Sequence, residues 1–450
     1  MGEGSYGKVV KGQKLDDKRN VAIKVLKRDG EDVWRELNAL RTIAVLDADL
    51  CNVVQFYECF NSMGRPCMAF EMLDLDLYQF MGTRKWAPMP CSEIRPIAKQ
   101  LLVALDALAS LGVVHSDVKT DNVMLVDAVN QPLRVKLIDF GLARSAVTIL
   151  QGELLQAVAY RAPEIWLGLP ITEAIDMWGL GCTLAFLLLG INLFPSHCEY
   201  QTVRFMVQIL GQPEDRLIQA GMFSQAFFVR QFAPGRPRFR LRTPEEYFAG
   251  TGYQTTACSP FTTLSCLDQL VHIHPHHHDS ELEDRKALVD LLKGMLDLDG
   301  RLRLRPHEAL QHPFISMSHL RQDPRHTQYL IASQQNLEVS AVKDSIQGQM
   351  PFVAPKDSLS PDWPVAPKES LSPDWPVAPK ESLSPDWPAS SPKPSTEPSV
   401  YPEESPSPEE ASSPEPSVAR TDEDVERLVR LRCCSSFFSG KRFASAAGWE

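Results

Sequence analysis

His115-Ser116-Asp117-Val118-Lys119-Thr120-Asp121-Asn122, followed shortly by Ile138-Asp139-Phe140-Gly141, is the stretch on which the reading of this chain turns. A carboxylate at Asp117 can accept the proton of an attacking hydroxyl. Lys119 can neutralise charge on a transferring phosphoryl group. Asn122 and Asp139 are oxygen donors of the kind that hold magnesium beside phosphates. Either fragment alone arises by chance, so the argument rests on what surrounds them and in which order.

Upstream, Gly2-Glu3-Gly4-Ser5-Tyr6-Gly7-Lys8-Val9 forms a glycine loop. Gly2, Gly4 and Gly7 let backbone close over phosphates where a Cβ would block it. Val21-Ala22-Ile23-Lys24 follows on a predicted strand, and an ammonium there can bridge the α and β phosphates. Residues 33–43 place Val33, Leu37, Leu40 and Ile43 at helical spacing. Glu36, on that helix, is the natural ion-pair partner for Lys24. Downstream come Ala162-Pro163-Glu164 and Asp176-Met177-Trp178. Taken singly, a glycine turn, a strand lysine and a helix glutamate are ordinary features, usually a solvated face. Together, in this order, they predict transfer of a phosphoryl group from ATP and magnesium, driven by positioning and charge neutralisation.

The gross pattern agrees. Residues 8–11 and 21–25 are β-branched runs, and long helical patterns dominate from Cys91 onward, as in residues 94–111. The expected fold class is α+β, a small β-rich lobe followed by a larger helical one. The most apolar stretch, residues 180–194, is too short to span a bilayer and reads as a buried core helix.

Of the 450 residues, 44% are hydrophobic, enough for a large core. The net charge of −11 argues against coating nucleic acid and gives no electrostatic reason to sit on anionic membrane. The 10 cysteines lack the paired spacings of a zinc site and read as reduced thiols of a cytosolic or nuclear setting. No charged segment followed by an apolar run opens the chain, so no signal peptide is expected. Met1-Gly2 suggests myristoylation, but Tyr6 stands where that pattern wants Ser or Thr.

After about Gln349 the composition changes. VAPKDSLSPDWP at residues 353–364 recurs from Val365 and from Val377, with Glu369 and Glu381 replacing Asp357. Each unit is proline-rich with little to bury, which predicts an extended, largely disordered tail over 349–419. Ser360-Pro361, Ser372-Pro373 and Ser384-Pro385 each lie near a tryptophan. They read either as docking and phosphorylation sites or as a passive spacer. Residues 422–431 fit one short amphipathic helix. His272, His274, His276, His277 and His278 read as a surface insert before a metal site, and lipidation of Cys433-Cys434 is not favoured.

The chain resembles the homeodomain-interacting protein kinases, a branch near the dual-specificity tyrosine-regulated kinases. The resemblance is carried by Phe70-Glu71-Met72-Leu73 with Leu77-Tyr78-Gln79-Phe80, by Asn122-Val123-Met124-Leu125, and by Tyr160-Arg161-Ala162-Pro163-Glu164-Ile165. Leu167-Gly168-Leu169-Pro170, Glu173-Ala174-Ile175-Asp176-Met177-Trp178, Phe239-Arg240-Leu241-Arg242 and Leu310-Gln311-His312-Pro313-Phe314 add to it. It covers roughly residues 1–345. It implies a bilobal protein-kinase fold with an N-lobe and hinge over 1–73, a C-lobe over 74–315, an extension over 316–348, and the tail segments 349–419 and 420–450 beyond. ATP would lie in the cleft, against Gly2, Gly4, Gly7, Val9, Ala22 and Lys24. Phe70 would be the gatekeeper, with Glu71 and Leu73 in the hinge that meets adenine. Asp117, Lys119, Lys24 and Glu36 would be catalytic, and Asn122 and Asp139 would hold Mg2+. Glu164 would pair with Arg303, and Asp176 would support the catalytic-loop backbone. Protein Ser/Thr-Pro substrates, transcription regulators among them, and a nuclear location are implied in the same way.

Four departures qualify the resemblance. Ser116 replaces the arginine that usually precedes the catalytic aspartate, which argues against an Arg–phosphate clamp. Leu154 stands where the family has its activation-loop tyrosine, with Glu153 beside it as a source of negative charge. Ala157 stands where a Ser or Thr hydroxyl links the catalytic Asp and Lys, and Val158 and Ala159 remodel the neighbouring substrate-facing region. The chain opens at the glycine loop, so the start of the first strand is missing. The intact phosphoryl-transfer residues favour an active serine/threonine kinase. The departures leave a nucleotide-binding scaffold or weak kinase as the alternative.

Overall fold

The computed structural model describes residues 7–27, 31–233, 236–255, 264–275, 278–321 and 327–340. The repeats and the short helix expected over residues 422–431 lie outside them, as do Gly2 and Gly4.

The N-terminal part is an antiparallel sheet of β1 (Gly7–Gln13), β2 (Asn20–Leu26), β3 (Phe56–Ser62) and β4 (Arg65–Glu71), in the order β1-β2-β4-β3. Register decides what shares a face. Val9 lies opposite Lys24, Lys24 opposite Met68, and Ala22 opposite Phe70. Because side chains alternate along a strand, Val9, Ala22, Lys24 and Phe70 fall on one face. Helix α1 (Glu31–Ile43) packs against this part with Val33, Leu37, Leu40 and Ile43 buried. Glu36 sits in that apolar stripe and is 3% exposed.

A short connection leads from β4 into α2 (Leu77–Thr83), whose N-cap Asp76 accepts the Gln79 N–H at 2.7 Å. From there the chain is mainly helical. Helix α3 (Cys91–Ser110) and α5 (Ala174–Leu189) form its centre, and every residue of α5 from Ile175 to Leu189 is buried. The buried helix expected over 180–194 is thus real, but it begins earlier and stops at Leu189, where Gly190 takes φ 75° at the C-cap. The helix Asp279–Met295 packs on both α3 and α5. The last described helix, Thr327–Ser340, lies on α3, where Tyr329 donates to Asp284 at 2.8 Å and Asn336 to the Ser92 carbonyl at 3.1 Å. Asp284 also forms a fully buried ion pair with Arg95. Among the described residues no helix is long and apolar enough to cross a membrane.

Four short strands frame the central loops. β5 (Val113–Val114) pairs with β8 (Arg144–Ser145), and β6 (Val123–Asp127) pairs with β7 (Gln131–Leu137). The eight-residue stretch quoted at the outset connects β5 to β6. It comes so close to α5 that a Cβ on Gly179 would lie 2.8 Å from the Val118 carbonyl oxygen. That carbonyl is backbone and cannot rotate away. Gly179→Ala is therefore expected to cost about 1–3 kcal/mol of stability, read as a lowered urea midpoint with an unchanged slope.

Candidate active site

Lys24 is the junction of the upper half of the site. Its Nζ lies 2.6 Å from Glu36 Oε1 and 2.8 Å from Asp139 Oδ1, with its side chain 12% exposed and that of Glu36 4%. β2 and the helix that follows it are thereby joined to the turn after β7, 115 residues from Lys24. Burial alone works downward on the Lys24 pKa, but the Asp139 and Glu36 carboxylates outweigh it and the net direction is up. For Asp139, burial works upward and the Lys24 ammonium prevails, so its carboxyl is held below the ordinary value of 3.8. Burial raises the Glu36 pKa, and the Asp139 carboxylate that shares its cation adds to the rise.

The lower half is the loop from His115 to Asn122. Lys119 Nζ donates to Asp117 Oδ2 at 2.7 Å, and the Asn122 amide donates to both Asp117 O and Oδ2 at 2.8 Å. Ala157 provides no hydroxyl here, and Lys119 meets Asp117 directly. A different link joins the loop to the substrate-facing region: Thr120 Oγ1 lies 3.0 Å from the buried Tyr160 hydroxyl.

Asp176 of α5 holds the loop from behind. It accepts the His115 N–H at 2.7 Å and the Ser116 N–H at 2.9 Å. Ser116 is buried and takes φ 67°, a conformation an L-residue adopts only when its surroundings impose it. Full burial raises the Asp176 pKa to about 6, moderated by His115. His115 Nδ1 accepts the Asp117 N–H at 3.3 Å, so Nε2 carries the proton and donates to Ile138 O at 2.9 Å. The Ile138 N–H in turn donates to Asn122 O at 2.9 Å. These two bonds tie the loop to the residue preceding Asp139, so the halves form one site. Phe140 is wholly buried with its ring edge-on to His115 at 5.0 Å.

The hinge residues occupy the connection after β4. The Glu71 carboxylate faces away from the sheet face bearing Lys24: it accepts from Lys136 Nζ and from the Gln55 N–H, each at 2.6 Å. The Glu71 N–H donates to the Gln55 carbonyl at 3.0 Å, so its main-chain carbonyl is the group that remains for a ligand. Leu73 is buried, and Phe70 packs on Phe56 with ring centroids 5.5 Å apart. Glu164 pairs with Arg303 through contacts of 2.8 and 2.9 Å, and the guanidinium covers the Trp178 ring at 5.2 Å.

The donors fit magnesium. Asp139 uses Oδ1 for both Lys24 and the Gly141 N–H, which leaves Oδ2 for a cation. The Asn122 amide nitrogen is committed to Asp117, so its carbonyl oxygen is the end that would bind one. Among the described residues no group of three or more His, Cys, Asp or Glu side chains could hold a metal ion. Magnesium is commonly held by one or two protein oxygens together with substrate phosphates, and Asp139 Oδ2 with the Asn122 carbonyl oxygen would supply two. The fully described members of the histidine-rich patch, His272, His274 and His278, form no such group either.

Lys136, Thr120, Tyr160 and Gly179 escaped the sequence reading. Lys136 carried a signal, since a lysine inside the apolar run Val135-Lys136-Leu137 must find a carboxylate if that strand is buried. The other three did not, because their partners lie 40 or more residues away.

Lys24→Met would leave the buried Glu36 carboxylate and the partly exposed Asp139 without their shared cation. At pH 7 this is expected to cost about 3 kcal/mol. In the wild type, the stability that Asp139 supplies through its depressed pKa is present above 3.8 and is lost as pH falls through its folded value. In the variant, acid relieves the penalty by protonating the stranded pair. The gap between the two proteins in denaturant midpoint should therefore be widest near neutrality and close toward about pH 4.

The protein kinase domain family matches residues 1–315. Homeodomain-interacting protein kinase 1 of Mus musculus is 40% identical over 354 residues, covering 75% of this chain and 29% of that protein. Homeodomain-interacting protein kinase 2 of Mus musculus is 39% identical over 370 residues, covering 78% and 30%. Homeodomain-interacting protein kinase 4 of Homo sapiens is 34% identical over 376 residues, covering 79% and 60%. The chain thus spans between about a third and three fifths of the length of these relatives. With the Lys24–Glu36 pair, the Asp117 loop and Asp139 joined in one site, this chain belongs to the protein kinase family and, within it, to the homeodomain-interacting protein kinases.

Proposed function

We propose that this chain transfers the γ-phosphoryl group of ATP to serine and threonine hydroxyls of protein substrates. The observation that carries the reading is the joined constellation: Lys24 bound to Glu36 and Asp139, with Asp117, Lys119 and Asn122 hydrogen-bonded to one another below it. Each group has a distinct task. Asp117 accepts the proton of the attacking hydroxyl. Lys119, held beside it, offsets charge on the group in transit. Lys24 engages the α and β phosphates, and Glu36 fixes the ammonium for that purpose. Val9, Ala22 and Leu73 would provide apolar surface for the base, with the main chains of Glu71 and Leu73 at its polar edge; Gly7 and, outside the described residues, Gly2 and Gly4 are the glycines proposed to close over the phosphates. Asn122 and Asp139 would hold magnesium, which when bound neutralises the phosphate oxygens.

The substrate-facing side suits Ser/Thr-Pro sites. Arg161 donates to the Leu155 carbonyl at 2.9 Å and to the Gln156 carbonyl at 3.0 Å. Those acceptors are already occupied, so a substrate proline, which has no N–H to offer, loses nothing by following the phosphorylated residue. The relatives' printed name makes homeodomain proteins, and transcription regulators more widely, candidate substrates or partners. A nuclear or cytoplasmic site of action follows from the same likeness. The Ser-Pro repeats at Ser360, Ser372 and Ser384 are candidate docking or modification sites.

The test is phosphate transfer from ATP-Mg by the full chain to a generic Ser/Thr protein and to Ser-Pro and Ser-Ala peptides. Asp139→Asn should lower kcat by at least about a hundredfold, and EDTA should abolish transfer. An Asp139→Asn protein that matches the wild type would refute the assignment. Equal rates on the Ser-Pro and Ser-Ala peptides would remove the proline preference alone.

A further inference from the structure

The segment from Arg144 to Ala162, between Asp139 and α4 (Pro163–Leu167), is anchored along its length by unmodified side chains. At its start, Glu153 Oε2 accepts from Arg144 Nη1 at 2.6 Å, while Oε1 of the same carboxylate accepts the Leu150 N–H at 2.7 Å. One side chain therefore both closes the turn over 150–153 and fastens it to β8. At its end, buried Gln156 donates to the Ile175 carbonyl and accepts the Ala162 N–H, each at 2.9 Å. In between, Gln151 donates to the Gly168 carbonyl at 2.8 Å.

Arg144 makes this more than a local contact. In register it lies opposite Val114, the residue immediately before His115, so the strand that Glu153 grips is paired with the one that delivers Asp117. Helix α1, which carries Glu36, also packs against β8. The Arg144 side chain is only 15% exposed and its Nε makes no hydrogen bond. Among the described residues Glu153 is the one acceptor it has. Removing that carboxylate leaves a mostly buried guanidinium with no counter-charge, a state the segment can relieve only by moving.

Few groups here could replace that carboxylate with a phosphate. Three residues of the segment bear hydroxyls: Ser145, Thr148 and Tyr160. Tyr160 is buried against Thr120. Ser145 and Thr148 are exposed but precede the turn that Glu153 closes. Leu154, next to Glu153, is 67% exposed and has nothing to modify.

We propose that Glu153 is a positioning residue for phosphoryl transfer: through Arg144 its carboxylate fixes this segment against β8 and β5 in catalytic form, with no phosphoryl group required. The inference rests on the kinase reading above and deepens it. Glu153 touches neither substrate nor metal, so its effect should appear in kcat and in protein-substrate KM and hardly at all in the KM for ATP.

The experiment uses the full chain as wild type, as Glu153→Gln and as the charge swap Arg144→Glu with Glu153→Arg. Steady-state kinetics is paired with hydrogen exchange over residues 144–162. Glu153→Gln should lower kcat/KM for the protein substrate about tenfold or more, with the ATP KM shifting less than about twofold and exchange in the segment rising. The swap should recover part of the rate and of the protection. Treating the wild type with a phosphatase of broad specificity before assay should leave its rate unchanged. An unaltered kcat/KM and exchange pattern in Glu153→Gln, or a wild type silenced by the phosphatase, would overturn the proposal. A wild type that transfers nothing would sink the kinase reading instead, while the exchange comparison would still decide whether Glu153 orders the segment.

Discussion

A single buried carboxylate sets the geometry on which the rest of this site depends. Asp176, fixed in a helix buried along nearly its full length, takes the backbone N–H groups of His115 and Ser116 and holds Ser116 at positive φ. That turn brings the Asp117 carboxylate to Lys119 and Asn122 while His115 reaches the Ile138 carbonyl. Burial opposes ionisation of Asp176, and its raised pKa measures the tension between a low-dielectric core and the two donors that want a full negative charge. Helix and loop also meet without a side chain between them at Gly179, so the support is steric as well as electrostatic.

From this anchor the site extends by bonds that each join remote parts of the chain. His115 and Asn122 reach the strand before Asp139; Asp139 reaches Lys24; Lys24 reaches Glu36 on α1. The Lys24 contacts with Glu36 and Asp139 are charge-assisted, stronger and shorter than the neutral hydrogen bonds of His115 and Asn122 and correspondingly costly to break inside the protein. A kinase site needs little covalent chemistry, so holding these groups at fixed separations is most of what the fold contributes. The segment 144–162 completes the arrangement from the substrate side through Arg144, Gln156 and Arg161.

Three of the four departures read from the sequence have a local structural answer. Lys119 contacts Asp117 without a hydroxyl from position 157. Ser116 leaves no cation to clamp a phosphate, yet its backbone is held by Asp176. Leu154 is exposed, and the neighbouring Glu153 carries the charge that engages Arg144. The Ser116 hydroxyl itself is buried without a hydrogen-bond partner, and nothing in the surrounding structure explains it.

The sequence by itself determined the class of fold and singled out the candidate reactive groups. Glycine spacing, the Lys24 strand, the periodicity that places Glu36 in an apolar stripe, and the Asp117 and Asp139 fragments are local patterns, because the chemistry demands particular side chains at particular short separations. It could not show that Lys24 also meets Asp139, because that depends on strand register and on a contact more than a hundred residues apart. Nor could it show that Glu71 turns its carboxylate to Lys136, that Thr120 meets Tyr160, or that Glu153 has a partner in Arg144. An isolated charged or hydroxyl residue reads the same in a sequence whether it is solvated or paired. Only burial, which removes water and makes a partner obligatory, separates the two, and burial is a property of the folded chain.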